Sequence, residues 1–306
     1  MDNFFIEEHR FSNDTGDAGM AVYSVFPGIQ LVFNSVHMDR CDLGRMTAGN
    51  LIEIHHCLEG RIEQEFEDER FYLGPGDFSI AIRDRMVNAY HFPTCHYHGI
   101  TIGINADLAP ESLSDVLEEV RVRPLEVARN LCGERNSFFI RGEQYIQHIF
   151  SQLYAPMPEE IKRGFFQVKI LELMLTLQKI QPQSNPVPGV GVAPKQAQLA
   201  KQTAAYLVDH SERRVTIPEL AKHFNVSQTV LKDAFRAVYG VPVYAYTRIQ
   251  KMQAAGQRLI HTDRKMSEIA AEFGYQNESK FIAAFRDVMG ESPGEYRRAH
   301  SKQIIK

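Results

Sequence analysis

Three histidines in the first third of the 306-residue sequence share strand faces with apolar residues. Side chains alternate between the two faces of a β-strand, so His56 lies on the same face as the isoleucines of IEIHHCL. By the same parity, His96 and His98 lie with the isoleucines of HYHGITIGI. If these isoleucines face the interior of a barrel, the three histidines converge there. Together with Tyr90 they are the candidate ligand-binding residues.

Imidazole chemistry leaves three interpretations of these histidines open. They could be interior residues satisfied by hydrogen bonds within the protein, contacts for an organic ligand, or ligands of a metal ion. His55 and His56 are adjacent, so they point to opposite faces of their strand and cannot both bind one ion. The candidate site is assigned to a small-molecule ligand, without a metal or a cofactor.

A second set of residues, near the C-terminus, has the chemistry of DNA recognition. The segments TIPELAKHFNVSQTVLKDAFRAVYG and MSEIAAEFGYQNESKFIAAFRDVMG follow one pattern about 50 residues apart. Amide, hydroxyl and charged side chains in their second halves could contact base edges and phosphates. The candidate DNA-binding residues are Ser227, Gln228, Thr229, Lys232, Asp233, Arg236, Asn277, Glu278, Ser279, Lys280 and Arg286.

Each of these segments predicts a helix, a sharp break and a second helix. Asn225 and Gly274 stand at the breaks, and both tolerate a left-handed backbone. Ser227 and Asn277 can cap the second helices, the first of which is expected to turn Val230 inward. The intervening VPVYAYTRIQKMQAAGQRLIHT predicts a long connecting helix. Two helix-turn-helix units joined in this way could enter successive major grooves, about 34 Å apart.

Charge and composition divide the chain into two domains. Residues 1–195 contain 17 Lys and Arg against 27 Asp and Glu, a net charge of −10, whereas residues 196–306 contain 17 against 11, a net charge of +6. A basic C-terminal third indicates an anionic partner. The segment QPQSNPVPGVGVAPKQ, with four prolines and two glycines, predicts an exposed linker at 181–196. The expected domains are therefore 1–180 and 197–302.

In the N-terminal domain the sequence predicts short strands between residues 20 and 105, and helices from Pro110 to Leu131 and over residues 160–180.

The predicted helix at residues 160–180 has two apolar stripes. One contains Ile161, Phe165, Val168, Leu171 and Leu175, and the other, at heptad-like spacing, contains Phe166, Ile170, Leu173, Leu177 and Ile180. The heptad-like stripe could pair with a second copy of the chain, or the helix could be buried on both sides within one subunit. We predict a homodimer through residues 160–180.

Several classes of protein are disfavoured by the sequence. The four cysteines form no CxxC pair, which favours a reducing compartment over a disulfide-stapled secreted protein. The first ten residues are acidic, unlike a signal peptide. No apolar run approaches the roughly 20 residues of a membrane helix. A cytoplasmic protein without a membrane partner is expected.

The C-terminal segments IPELAKHFNVSQTVLKDAFR and EIAAEFGYQNESKFIAAFRDVMGESPGEYRR resemble the DNA-binding domain of the AraC/XylS family. The ending matches the family signature of Gly, a short gap, Ser/Thr-Pro and Tyr-Arg at Gly290, Ser292, Pro293, Tyr296 and Arg297. The phrase NESKFIAAF is similar to the subgroup of siderophore regulators. Many family members carry Arg where this chain has Ala283, so the second recognition helix could read bases elsewhere or mainly hold phosphate.

The segment LGPGDFSIAI is similar to the LxPGD turn of cupin-like β-barrels, which many AraC-type regulators carry as sensor domains. The resemblances together imply an α+β chain of two domains. An N-terminal cupin-like β-barrel with trailing helices would hold one small ligand. A C-terminal all-α domain would carry two helix-turn-helix motifs joined by a linker helix.

The implied function is a transcription regulator, not an enzyme, that binds specific DNA under control of a small-molecule effector. Its implied partners are double-stranded promoter DNA, the effector and RNA polymerase. A metal-binding cupin enzyme fused to a DNA-binding module is the alternative, but metal-binding cupins carry HxH in the first half of their motif and this chain does not. An alkyl-transfer repair protein would need clustered cysteines, and the four here are scattered.

Overall fold

The computed structural model describes residues 5–41, 51–66, 69–83, 90–113, 122–180, 191–210, 213 and 215–300. The chain divides into two compact units, Met1–Pro194 and Lys195–Lys306. The strands of the first unit are β1 (Phe5–Asn13), β2 (Gly16–Phe26), β3 (Ile29–His37), β4 (Arg40–Cys41), β5 (Leu51–Gly60), β6 (Ile62–Phe66), β7 (Glu69–Leu73), β8 (Asp77–Arg83), β9 (Tyr90–His91), β10 (Tyr97–Asn105), β11 (Ser137–Arg141) and β12 (Gly191–Val192). Its helices are α1 (Pro124–Cys132), α2 (Gln144–Leu153) and α3 (Glu159–Gln178).

The strands form two antiparallel sheets. The larger, here called the large sheet, has the order β1-β2-β3-β10-β5-β8-β11, and the small sheet has the order β12-β7-β6-β9-β4. All the pairings are antiparallel, as expected for short strands joined by turns. The two-domain α+β organisation predicted from the sequence is confirmed at this level.

The large sheet is buried on both faces, and this decides where each side chain of its strands goes. One face, which includes Ile52, Ile54 and Ile100, packs in a single core with apolar residues of α1, α2 and α3. The opposite face, which includes Cys57 and Tyr97, packs against residues of the small sheet. Because strand side chains alternate, residues one position apart in β5 or β10 enter different cores.

The predicted tight turn within LGPGD is confirmed between β7 and β8. The side chain of Asp77 accepts a hydrogen bond from the backbone N–H of Gly74 at 2.8 Å. Gly76 has a φ of +81°, a conformation that favours glycine. The prediction of a helix from Pro110 is wrong for residues 110–113, which are irregular, and residues 114–121 lie outside the described residues. Helix α1 begins at Pro124, where the fixed φ of proline suits a first helical turn.

Helix α3 packs on its own unit through the stripe that was expected to meet a partner chain. The heptad-like stripe faces the chain's own core, where Phe166, Ile170, Leu173 and Leu177 are buried against the large sheet. In the other stripe Ile161 and Val168 are 57% and 58% exposed, whereas Phe165, Leu171 and Leu175 are partly buried against the same core. The stripe assigned to a partner chain is therefore wrong, because the sheet needs an apolar cover and the heptad-like stripe supplies it.

The second unit is built from helices over its described residues. They are α4 (Pro194–Asp209), α5 (Ile217–His223), α6 (Gln228–Tyr239), α7 (Val243–His261), α8 (Met266–Glu272), α9 (Glu278–Met289) and α10 (Pro293–His300). The linker predicted at 181–196 is too long at its end, because Gly191–Val192 pairs with β7 and Pro194 starts α4. Alanines buried along α4 extend the helix back to that proline. Residues 181–190 lie outside the described part of the chain.

The signature at the end of the chain has a structural role in this unit. The guanidinium of Arg297 donates hydrogen bonds to the carbonyls of Leu259 and Arg264 at 3.1 and 2.7 Å. A Cβ placed on Gly256 would meet the ring of Tyr296 at 3.1 Å, so glycine lets α10 lie close to α7. The long connecting helix is confirmed as α7. Among the described residues, no helix has the length and apolarity required to cross a lipid bilayer.

Candidate nucleic-acid interface and N-terminal polar clusters

The first helix-turn-helix is formed by α5 and α6, and its break has the geometry expected from the sequence. Asn225 has a φ of +53°, which reverses the chain between the helices. The hydroxyl of Ser227 then accepts a hydrogen bond from the N–H of Val230 at 3.2 Å and caps α6. Buried side chains on one side of α6 leave the other side to solvent.

All the DNA-binding candidates of this motif lie on the exposed side of α6 or at its cap. They are Ser227, Gln228, Thr229, Lys232, Asp233 and Arg236. Neither Lys232 nor Arg236 forms a side-chain ion pair with any residue that the structure describes. Their charges face solvent, where an anion can approach them.

The second helix-turn-helix, α8 and α9, repeats this construction. Gly274 has a φ of +82° at the break, and the side-chain oxygen of Asn277 accepts a hydrogen bond from the N–H of Lys280 at 3.1 Å. Phe281 and Phe285 are buried beneath the helix. The candidates Asn277, Glu278, Ser279, Lys280 and Arg286 are all exposed.

Sequence reasoning missed one exposed residue of this surface. Val230 was expected to face inward, but it is 45% exposed, beside Thr229 and one turn before Asp233. The helical period sends residues 231, 234 and 235 inward and leaves 230 at the edge. An exposed apolar group on a recognition helix can contact the methyl group of thymine.

The two motifs correspond position by position at a spacing of 50 residues. The caps are Ser227 and Asn277, and the last exposed arginines are Arg236 and Arg286. Where α6 presents Lys232 and Asp233, α9 presents Ile282 and Ala283. The middle of α9 therefore offers less hydrogen-bonding chemistry than the middle of α6, while the two ends are matched.

In the N-terminal unit, His56 faces the helices. Its ring stacks on that of Phe150 in α2, with centroids 4.3 Å apart and planes 4° apart. Neither of its ring nitrogens has a hydrogen-bond partner among the described residues. Burial lowers the pKa of His56 to about 4, so the ring is neutral at pH 7.

His96 and His98 lie elsewhere, so the predicted convergence with His56 is wrong. The shared parity of His56 with Ile52 and Ile54 is present, but that face meets helices and not the space between the sheets. His96 and His98 instead group with His37 near one end of the large sheet. Alternation alone cannot tell which of two buried faces is the barrel interior.

The space between the two sheets contains a different polar cluster, and Tyr90 belongs to it. The hydroxyl of Tyr90 donates a hydrogen bond to Glu53 at 2.6 Å, and Arg83 donates to the other oxygen of that carboxylate. His55, the neighbour of the predicted His56, has a ring nitrogen 3.6 Å from Glu53 and another 3.1 Å from the hydroxyl of Thr101. We call Glu53, His55, Arg83, Tyr90 and Thr101 the inter-sheet cluster.

The charges of this cluster are strongly coupled. Burial would raise the pKa of Glu53, but the hydrogen bond and charge of His55, with Arg83 and Tyr90, lower it to about 2. Burial and the neighbouring Glu53 raise the pKa of Tyr90. Glu53 is thus held as a carboxylate in an interior where its partners are a phenol, an imidazole and a guanidinium.

Comparison with known proteins bears on the C-terminal unit. Residues 220–299 match the family model described as a helix-turn-helix domain. The uncharacterized HTH-type transcriptional regulator YisR of Bacillus subtilis is 30% identical over 138 residues, which are 45% of this chain and 45% of that protein. A putative AraC-like transcription regulator of Streptomyces lividans is 31% identical over 86 residues, 28% of each chain. This chain thus spans less than half the length of these relatives.

Among solved structures, the C-terminal domain of AraT, a response regulator from Geobacillus stearothermophilus, is 27% identical and covers 33% of this chain and 84% of that one, with a TM-score of 0.31. The family model and the curated relatives identify a helix-turn-helix domain of the kind found in transcription regulators. The resemblance of the C-terminal unit to the DNA-binding domain of the AraC/XylS family is confirmed by these matches.

Proposed function

We propose that the protein is a transcription regulator that binds specific sites in double-stranded promoter DNA. The observation that carries this proposal is the pair of capped helices, α6 and α9, whose exposed sides are polar and whose buried sides hold each motif together. In a helix-turn-helix the second helix enters the major groove, and residues near its N-terminus contact base edges. The net charge of +6 over residues 196–306 favours a polyanion.

The positions along each helix support different proposed roles for the candidates. Gln228, Thr229 and Lys232 lie in the first half of α6 and are proposed to read bases, with Val230 as an apolar contact. Arg286, in the last turn of α9, is proposed to hold phosphate. Asp233 can accept a hydrogen bond from cytosine N4.

We further propose that a small polar molecule acts as the effector and binds between the two sheets. Besides the inter-sheet cluster, nitrogen Nε2 of Gln64 and the hydroxyl of Tyr97 are buried there without hydrogen-bond partners among the described residues. Buried polar groups are normally paired, so unpaired ones mark where a ligand or water can bind. In this proposal Tyr90 stays a candidate ligand contact, and His55 takes the place of His56 as one. Mass spectrometry of the natively purified protein would identify a retained ligand.

Self-association through α3 is proposed on its exposed apolar residues Ile161 and Val168, rather than on the buried heptad-like stripe. A transcription regulator with one DNA-binding unit per chain gains affinity when two units are linked. Contact with RNA polymerase stays a prediction.

The experiment that tests the central proposal is selection of duplexes from a random library by the full-length chain. A regulator of this type is expected to enrich one motif with two half-sites about one helical turn apart, since each chain has two recognition helices. Recovery of unrelated sequences after repeated rounds would reject sequence-specific binding.

A further inference from the structure

A group of three histidines lies at one end of the large sheet, and neither the fold nor the DNA-binding proposal uses it. His37, His96 and His98 are partly exposed, with 32% and 33% of the side-chain surface of the last two accessible. Glu59 lies beside them. We call these four residues the histidine cluster.

Strand pairing explains why these residues meet. β10 lies between β3 and β5, and His98 is opposite Ser35 on one neighbour and Glu59 on the other. His37 ends β3, so it reaches the same end of the sheet. Three adjacent strands thus contribute the side chains, and their backbone hydrogen bonds fix the spacing.

His96 precedes β10 and is positioned by a tight backbone contact. The N–H of Arg61 donates a hydrogen bond to the carbonyl of His96 at 3.1 Å. Gly60, with a φ of +75°, permits this contact, because a Cβ there would lie 1.9 Å from the same carbonyl oxygen. Gly60 therefore allows the segment that carries His96 to pack against the end of β5, beside the other residues of the histidine cluster.

The nitrogen atoms lie close enough together to approach one ion. Nδ1 of His96 is 3.4 Å from Nδ1 of His37, and Nε2 of His98 is 3.4 Å from Nε2 of His37, so the two contacts use opposite nitrogens of the His37 ring and one ion can use only one of them. One nitrogen from each ring can be chosen so that all three lie within 4.8 Å of one another. Two ligands at the Zn–N distance of about 2.0–2.1 Å from a tetrahedral ion lie about 3.3–3.4 Å apart. One histidine pair therefore matches this spacing, and the third ring has to move closer when an ion binds.

Glu59 has the position of an outer carboxylate that orients metal-binding imidazoles. Its Oε2 is 3.2 Å from Nε2 of His96 and 3.8 Å from Nδ1 of His98. In His96 and in His98, the nitrogen that lies near Glu59 is not the one that lies near His37, so the two nitrogens of each ring face different partners. A carboxylate there accepts the N–H of the ring and leaves the lone pair of the other nitrogen directed at an ion.

We propose that the histidine cluster binds one divalent transition-metal ion, with Zn²⁺ as the probe. His37, His96 and His98 supply three imidazole nitrogens, and the partial exposure of the cluster leaves a fourth position for water. Mg²⁺ and Ca²⁺ prefer oxygen ligands and are excluded by this donor set. The site lies on the helix-side face of the large sheet, away from the inter-sheet cluster, and replaces the interior ligand role predicted for His96 and His98.

Calorimetric titration of the full-length, tag-free, metal-stripped chain with Zn²⁺ tests this proposal. One ion per chain is expected, with no competition from excess Mg²⁺. The single variants His37→Gln, His96→Gln and His98→Gln are expected to lose more than the roughly 10–100-fold in affinity that removal of an outer partner costs. Glu59→Gln is expected to lose affinity within that range. His148→Gln, which changes an exposed histidine of α2, is the matched control and keeps full affinity.

The melting temperature of each variant without metal shows whether it is folded. If His96→Gln or His98→Gln is destabilised, His37→Gln still tests the site, because His37 lies at an exposed strand end. Wild-type protein is expected to gain thermal stability with Zn²⁺ by mass action, and the cluster variants are not. Absence of stoichiometric binding by the wild-type chain would overturn the proposal. Binding that all three histidine variants retain would also overturn it, since the ion would then lie elsewhere.

Discussion

At the scale of single residues, the N-terminal unit separates two adjacent histidines into different chemical environments. His55 faces the small sheet, where it contacts Glu53 and Thr101, and His56 faces α2, where it stacks on Phe150. The first environment is polar and charged, and the second is apolar. The same residue type therefore lies in a charged polar cluster in one place and in an apolar stack one position later.

The packing role of His56 predicts a dependence of stability on pH. Its pKa in the folded chain is about 4 against an ordinary value of 6.5, so the unfolded chain takes up a proton first as the pH falls. The stability that this difference supplies is complete above pH 6.5 and is lost between pH 6.5 and 4, by up to about 3 kcal/mol. The carboxyl of Glu53 has a pKa of about 2, so its contribution to stability is lost only below pH 4.5, outside the pH range in which His56 titrates.

The variant His56→Phe keeps the stack on Phe150 and removes the titrating group. Chemical denaturation at pH 7.5 and pH 5 is expected to show a smaller loss of unfolding free energy in the variant than in the wild type. At pH 7.5 the variant is expected to be no less stable, because an unpaired buried polar group is replaced by an apolar one. An equal loss in both proteins would show that His56 does not carry the effect.

Residues of the recognition helices predict two kinds of binding defect. Lys232→Ala is expected to cost about 1–3 kcal/mol at the base pair that it reads and to relax preference there. Arg286→Ala is expected to weaken all duplexes alike, because a phosphate contact carries no sequence information. Affinities for the selected site and for single-base variants of it distinguish the two. If both changes weaken the affinity for all duplexes equally, Lys232 does not read a base pair.

At the scale of elements, caps and turns decide where the recognition helices begin. The hydroxyl of Ser227 satisfies a backbone N–H in the first turn of α6, a contact that alanine cannot make. Ser227→Ala is expected to lower the stability of the C-terminal unit by about 1 kcal/mol. Ser279→Ala, an exposed serine inside α9, is the matched control and is expected to stay within about 0.5 kcal/mol of the wild type. Equal melting temperatures of the two variants would contradict the assigned cap.

The recognition helices of the C-terminal unit could be predicted from the sequence because each has one buried side and a side-chain cap. Apolar spacing, Asn225, Ser227, Gly274 and Asn277 all indicated the same boundaries. The exposure of Val230 could not be predicted, because it lies at the edge of the apolar stripe. Its assignment depends on how closely α5 and α6 pack.

The faces of the large sheet could not be assigned from the sequence for a related reason. Parity correctly grouped His56 with Ile52 and Ile54, but both faces of β5 are buried, so alternation does not show which one is the interior. His37 was missed because its cluster joins strands that are distant in sequence. Only the order β3-β10-β5 brings it to His98, 61 residues away.

At the scale of the whole molecule, the proposed self-association through α3 can be tested by adding one charge. Val168→Lys introduces a charge at an exposed position of α3 and is expected to shift the protein from dimer to monomer, as light scattering after size exclusion would show. Val208→Lys, at a valine of α4 with 53% exposure, is the matched control. If both variants have the mass of the wild type, the exposed apolar residues of α3 are not the dimer contact.

The chain combines an acidic N-terminal unit with a basic C-terminal unit, and this contrast has a consequence for binding. The net charge of +6 over residues 196–306 includes the arginines and lysines on α6 and α9, which are proposed to displace counterions from DNA. Each phosphate neutralised contributes about −0.9 to the slope of log affinity against log salt. Affinity for DNA should therefore fall steeply with salt while the preference for the selected site persists.

The most direct test is the equilibrium affinity of the full-length chain for its selected duplex and for a shuffled duplex, measured over a range of salt concentrations. The selected duplex is expected to bind at least roughly 10³-fold more tightly than the shuffled one, which is typical of specific recognition. Both affinities are expected to fall with a log–log slope of several units. Equal affinity for the two duplexes, or binding that does not respond to salt, would contradict the assignment of α6 and α9 as recognition helices.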